Sequence, residues 1–106
     1  MINKRILGLI GLSAKARNIC FGADSVEMNI KSKKVFLVLI AKDASNRTQE
    51  KFKKICETYK IPVIIEGTIE ELSKAIGKNN KAIIGIENKN LSEEIEKISN
   101  GGDVIG

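Results

Sequence analysis

Seven consecutive apolar residues, Val35-Phe36-Leu37-Val38-Leu39-Ile40-Ala41, interrupt a chain whose other apolar positions recur mostly at helical steps. The run is made mostly of branched or aromatic side chains and lacks the polar alternation of a half-wet strand. It suits a strand covered on both faces, with helices above and below. A basic cluster, Lys31, Lys33 and Lys34, leads into it, and the polar turn Lys42-Asp43-Ala44-Ser45-Asn46 leads out. The pattern predicts a small α/β sandwich built around this strand, with a binding face at the strand ends.

The remaining elements follow in order. Ile2, Ile6, Leu9 and Ile10 share one helical stripe, which predicts a first helix over residues 2–14. After the basic exit Lys15-Ala16-Arg17-Asn18, Ile19-Cys20-Phe21 reads as a short strand ended by Gly22. Ala23, Val26 and Ile30 mark a second helix, and Asp24 with Glu27 has capping-box spacing, so that helix starts near residues 22–24. A third helix carries Phe52, Ile55, Cys56 and Tyr59 at steps of 3, 4 and 7. Asn46 with Gln49 is its expected cap, and Glu50 with Lys54 and Lys53 with Glu57 are its expected ion pairs.

Pro62 opens a strand over 63–66, where a missing backbone donor is tolerated. Thr68 with Glu71 is a capping box, Ile69, Leu72 and Ile76 face inward, and Gly77 stops that helix. Residues 78–81 form a turn and 82–86 a strand. Asn90 with Glu93 is expected to cap a fifth helix bearing Leu91, Ile95 and Ile98, ended by Gly101-Gly102. The order is α-β-α-β-α-β-α-β-α, a three-layer sandwich.

Composition narrows the class. The chain has 106 residues, 42% hydrophobic and 29% charged, which fits one globular domain over 1–100 with a flexible tail at 101–106. No apolar run approaches the length of a membrane span. Lys4-Arg5 precede an apolar stretch, but Lys15 and Arg17 follow at once and no small-residue cleavage site appears, which argues against a signal peptide. Cys20 and Cys56 have no metal or redox spacing and sit among apolar neighbours, as buried reduced thiols of a cytoplasmic protein do.

The net charge of +5 is uneven. Residues 1–54 hold 12 Lys and Arg against 4 Asp and Glu, whereas residues 55–106 hold 6 against 9. That asymmetry suits a face for a polyanion, and equally the ordinary solvation of Lys-rich helices.

Candidate chemistry is sparse. The chain contains no histidine, the commonest general base and metal ligand at neutral pH. There is no phosphate-binding loop of the Gly-x4-Gly-Lys type and no cysteine pair for zinc. No metal, cofactor or catalytic residue is therefore expected. Asp43 lies just past a buried strand, where open α/β sheets carry ligands. The acidic pair of a phosphoacceptor site is absent from Phe21-Gly22-Ala23, so Asp43 reads as shaping the turn before the third helix.

The positive signals gather in three loops, 21–25, 42–46 and 65–69. A helix start after glycine presents unpaired amides and a positive dipole end to phosphate. Asp24 and Ser25 there suit base edges, and on spacing alone suit helix capping as well. No aromatic pair for stacking bases is visible, which disfavours single-strand platforms.

Phe21-Gly22-Ala23-Asp24-Ser25-Val26, Leu37-Val38-Leu39-Ile40-Ala41-Lys42-Asp43-Ala44, and the segment from Ile61-Pro62-Val63 to Glu71-Leu72-Ser73-Lys74-Ala75-Ile76-Gly77 resemble, in order and spacing, the L-seven-Ae/L-thirty-e ribosomal protein superfamily. Asp43-Ala44-Ser45 and Ala75-Ile76-Gly77-Lys78 are most similar to its bacterial, ribosomal-protein-like branch. The resemblance covers roughly residues 3–98. It implies an α-β-α sandwich with a mixed four-stranded sheet. It also implies binding to kink-turn RNA, a sharply bent internal loop with sheared G·A pairs.

Carried over by position, Gly22 lets the backbone approach the RNA. Asp24 and Ser25 fall where kink-turn binders typically have an Asn-Glu or Lys-Gln pair, and Met28 falls on a typical lysine. Ser45 lies at the edge of the site, and residues 65–69 form the loop over the extruded nucleotide. Asp24 lacks the amide donor, Ser25 is shorter than glutamate, and Met28 makes no phosphate contact.

These readings converge on a small, monomeric, non-catalytic protein for structured RNA, ribosomal or another kink-turn RNA. The expected contacts are Arg17, Gly22, Ala23, Asp24, Ser25, Met28, Lys31, Lys42, Ser45, Ile65, Gly67 and Thr68. The departures at Asp24, Ser25 and Met28 argue for a rival, a protein-interaction module of the same fold. Asp43 alone argues for a small-molecule or enzymatic domain.

Overall fold

A computed structural model describes residues 2–101; the rest of the expected tail, 102–106, lies outside the described residues. The apolar run folds as β2 (Leu37–Ile40), with all four residues fully buried. It is shorter than 35–41. Val35 is buried and Phe36 still donates its amide to Ile86, 2.9 Å away, but Phe36 is 42% exposed. At the other end the Ala41 amide reaches Ala82.

Around β2 the chain forms α1 (Lys4–Lys15), β1 (Ile19–Phe21), α2 (Ala23–Lys31), α3 (Asn46–Tyr59), β3 (Val63–Ile65), α4 (Ile69–Ala75), β4 (Ile83–Ile86) and α5 (Lys89–Ser99). The sheet order is β1-β4-β2-β3. β4 runs antiparallel to both neighbours, with Ile84 opposite Phe21 and Leu39, while β2 and β3 are parallel, with Ile40 beside Ile65. The sheet is mixed, and two strands shield β2 edge to edge. Pro62 precedes an edge strand, where its missing donor costs no ladder bond.

Helix α2 packs on α3, and α1 packs on α4 and α5, so the sheet lies between two helical layers. Ile6, Ile10, Val26, Ile30, Phe52, Leu72 and Ile95 are fully buried from these helices. Burial of such side chains is worth about 1.5–3 kcal/mol each relative to exposure.

The helix ends correct several expectations. The Thr68–Glu71 capping box forms, with Thr68 Oγ1 accepting from the Glu71 amide and Glu71 Oε1 from the Thr68 amide. Asp24 and Glu27 form no such box. Gly22 is the cap residue of α2 and contributes no side chain, while Glu27 turns to Lys31 and Lys51, at 3.0 and 3.1 Å.

Ser45, not Asn46, caps α3 by accepting from the Thr48 amide, and Gln49 donates to the Lys42 and Ala44 carbonyls. Asn88, not Asn90, caps α5. Within α3, Lys53 pairs with Glu50 at 3.6 Å rather than the expected Glu57; a surface pair of this kind contributes little.

Candidate nucleic-acid interface

The register decides which loops meet. β1, β2 and β3 all end where β4 begins, because β4 alone runs the other way. Residues 22–25, 42–45, 66–68 and 78–82 therefore share one end of the sheet. The three loops singled out in the sequence are brought together, with a fourth beside them.

Gly22 has φ +86° and ψ 150°, a region essentially reserved for glycine. A Cβ there would meet nothing within 4 Å. Its amide donates to the Ile83 carbonyl at 3.0 Å, which ties the start of α2 to β4. The amides of Ala23, Asp24 and Ser25 follow in the first helical turn, where no intrahelical acceptor exists. Ala23 and Asp24 are exposed and Ser25 half-buried. Met28 stands one turn beyond Asp24 on the same face and is 62% exposed.

Other expected contacts have structural duties. Ser45 is exposed and caps α3. Gly67 is buried with φ +76°, its position so close to Ile2 that an added Cβ would lie 3.2 Å from Ile2 Cδ1. Its carbonyl accepts from the Lys42 amide at 2.8 Å, leaving the Lys42 side chain exposed. Ile65 is half-buried against the core, and Thr68 caps α4. Asp43 reaches beyond its own turn: Oδ1 accepts from the Ile69 amide, 2.8 Å away.

Two of the named residues are not brought here. Arg17 precedes β1 and Lys31 ends α2, so both sit at the opposite end of the sheet. For Lys31 this is about 12 Å along the helix from Ala23. The Lys31 ammonium is held above its ordinary pKa mainly by its hydrogen bond to Glu27, whose carboxyl is held below its own by hydrogen bonds from Lys31 and Lys51.

Sequence reasoning missed Lys78 and Lys81. Their ammonium groups stand 5.4 and 5.3 Å from the centre of the Phe21 ring, beside Gly22, within cation–π range. Buried Ser73 holds this loop, accepting from the Lys81 amide at 2.7 Å and donating to its carbonyl. An open groove of about 660 Å³ lies next to it, bounded by Asp43, Glu70, Lys74 and residues 77–80. The turn itself was legible in Gly77 to Lys81; its landing on Phe21, nearly 60 residues earlier, had no local signal.

The thiols take no part in this end of the molecule's chemistry. Burial pushes Cys20 up to about 12, with Glu87 adding to the effect, and Cys56 up to about 11. No group of His, Cys, Asp or Glu suited to a metal ion occurs among the described residues. Nor, among them, is any helix long and apolar enough to cross a membrane.

Residues 4–96 match the model of the ribosomal protein L7Ae/L30e/S12e/Gadd45 family. The chain belongs to that family. Among proteins of this kind, it is 29% identical over 87 residues to the RNA-binding protein YlxQ of Bacillus subtilis, covering 82% of this chain and 87% of that one. It is 26% identical to the Enterococcus faecium protein of the same name, covering 92% and 94%. A Bacillus halodurans protein of unknown function has the same fold at a TM-score of 0.89 and 31% identity, covering 92% of this chain and 99% of that one. The Giardia lamblia 15.5kD RNA-binding protein shares the L7Ae-type fold at a TM-score of 0.77 and 20% identity, covering 100% and 94%.

Proposed function

We propose that this chain is a non-catalytic cytoplasmic protein that binds structured, kink-turn-like RNA as a monomer, in a ribosomal or comparable ribonucleoprotein setting. The observation that carries the reading is the gathering of loops 22–25, 42–45 and 66–68 at one end of the sheet, in a member of a family with relatives named as RNA-binding. Unpaired amides at the start of α2 suit phosphate or base edges. Lys42, Lys78 and Lys81 add positive charge around them. Residues 65–68 form a rim held in place by the Thr68 cap and the Lys42–Gly67 bond.

Gly22 fits this reading in two ways. Its φ requires glycine whatever binds, and the open space above it leaves room for RNA backbone. Asp24 and Met28 weigh against tight sequence readout, since one carries negative charge and the other supplies no phosphate contact. Recognition then rests on groove shape, backbone amides and lysines.

The exposed Met28 face also suits the second reading, a protein-interaction module. A gel-shift with a kink-turn hairpin and a control with disrupted G·A pairs separates the two. Selective binding of the hairpin is expected; equal or absent binding favours the protein partner.

A further inference from the structure

We propose a second nucleic-acid surface at the opposite end of the sheet, a groove that holds single-stranded RNA by base stacking on Phe36 and Tyr59. The sequence shows no aromatic pair, but the fold makes one. Phe36 precedes β2 and Tyr59 ends α3, and both line one groove of about 280 Å³ over Ile30 and Ile61. Phe36 is 42% and Tyr59 39% exposed, two of the four large exposed hydrophobic residues among the described residues. Backbone bonding holds the first in place, through the Phe36 amide on Ile86.

Lys33 and Lys60 form the flanks of the same groove. Both occupy the left-handed region, with φ of 61° and 57°, at the ends of α2 and α3. Arg17, at the end of α1, has φ 59° at this same end of the sheet. Glycine is the usual residue in such a position, and a side chain there is strained. A basic residue at a helix end is favoured by the macrodipole, which accounts for the charge alone. It gives no reason for two aromatic rings beside those lysines to stay in water.

Charge complementarity selects the occupant. Lys33 and Lys60 line the groove, and Lys31, paired with Glu27, lies near Tyr59. Aromatic faces flanked by lysines match a polyanion with stackable bases, and the tolerance of stacking for any base implies little sequence preference. Because the groove lies at the other end of the sheet from α2's start, this surface stands independently of the function proposed above.

Fluorescence anisotropy of the full chain with labelled decauridine tests it. The parent is expected to bind, and Phe36→Ala and Tyr59→Ala each to weaken binding by about tenfold. Lys33→Gly and Lys60→Gly relieve the left-handed backbone while removing charge; melting temperature should hold within a few degrees and affinity should fall severalfold. Lys97→Ser, in the last turn of α5 and lining neither groove, should leave decauridine binding unchanged. No binding by the parent would make the groove bare surface or a protein-docking face and overturn the proposal. So would aromatic variants that bind like the parent, or an equal loss on Lys97→Ser.

Discussion

Asp43 Oδ1 accepts a 2.8 Å hydrogen bond from the Ile69 amide, 26 residues further along the chain. The bond ties the turn after β2 to the first turn of α4. Together with the Lys42–Gly67 backbone bond it sets the spacing of two of the loops at the candidate RNA face. A carboxylate on a first-turn amide also complements the helix dipole. Asp43 is thus a brace between loops rather than a shaper of its own turn.

Asp43→Ala should accordingly lower stability by about 1 kcal/mol. Asp43→Asn, which retains an acceptor oxygen, should recover most of it. Urea denaturation of the three proteins checks this. An unchanged midpoint for the alanine variant would show that the bond contributes nothing net.

Affinity for structured RNA should fall steeply with salt. With several lysines releasing counterions, raising salt from about 50 to 200 mM should weaken binding on the order of a hundredfold or more. A flat response in the gel-shift would favour the protein-partner reading.

The start of α2 offers a sharper test through Asp24 than through Gly22. At φ +86° any side chain on Gly22 is strained, so Gly22→Val confounds folding with binding. Asp24 caps nothing with its side chain. Asp24→Asn should therefore shift stability by only a few tenths of a kcal/mol and strengthen kink-turn binding, by removing negative charge near phosphates and restoring an amide donor. Unaltered affinity would mean that the RNA does not sit on this helix start.

The cysteines make a prediction in the alkaline range. Each thiol is raised by burial above its ordinary 9.0, to about 12 for Cys20 and about 11 for Cys56. The unfolded chain then loses these protons first. The stabilisation is complete below about pH 9 and is lost as pH rises toward 11–12. Melting temperatures from pH 8 to 11 should show this fall, and it should be shallower in Cys20→Ala and Cys56→Ala.

Cys56 also fills space beneath α3 at 1% exposure. Cys56→Ala should cost about 1 kcal/mol or somewhat more at neutral pH and leave RNA affinity unaltered. Loss of binding with the fold retained would contradict the placement of this thiol away from the RNA face.

The sequence by itself determined the nine elements of the described residues, the doubly covered strand and the Thr68–Glu71 box. Periodicity and reciprocal capping are local: each is decided by residues within one or two turns of each other. Local rules left the other caps degenerate. Ser45 and Asn46, or Asn88 and Asn90, are all competent acceptors, and the choice fell to where the preceding strand or loop delivers the chain. The tertiary structure alone decided that β4 enters antiparallel between β1 and β2. That reversal brings residues 78–81 onto Phe21. The parallel crossover from β2 through α3 to β3 returns the end of α3 to the start of β2 and puts Phe36 and Tyr59 on one groove. Strand order depends on how whole apolar faces are covered, a non-local balance to which no single loop's residues testify.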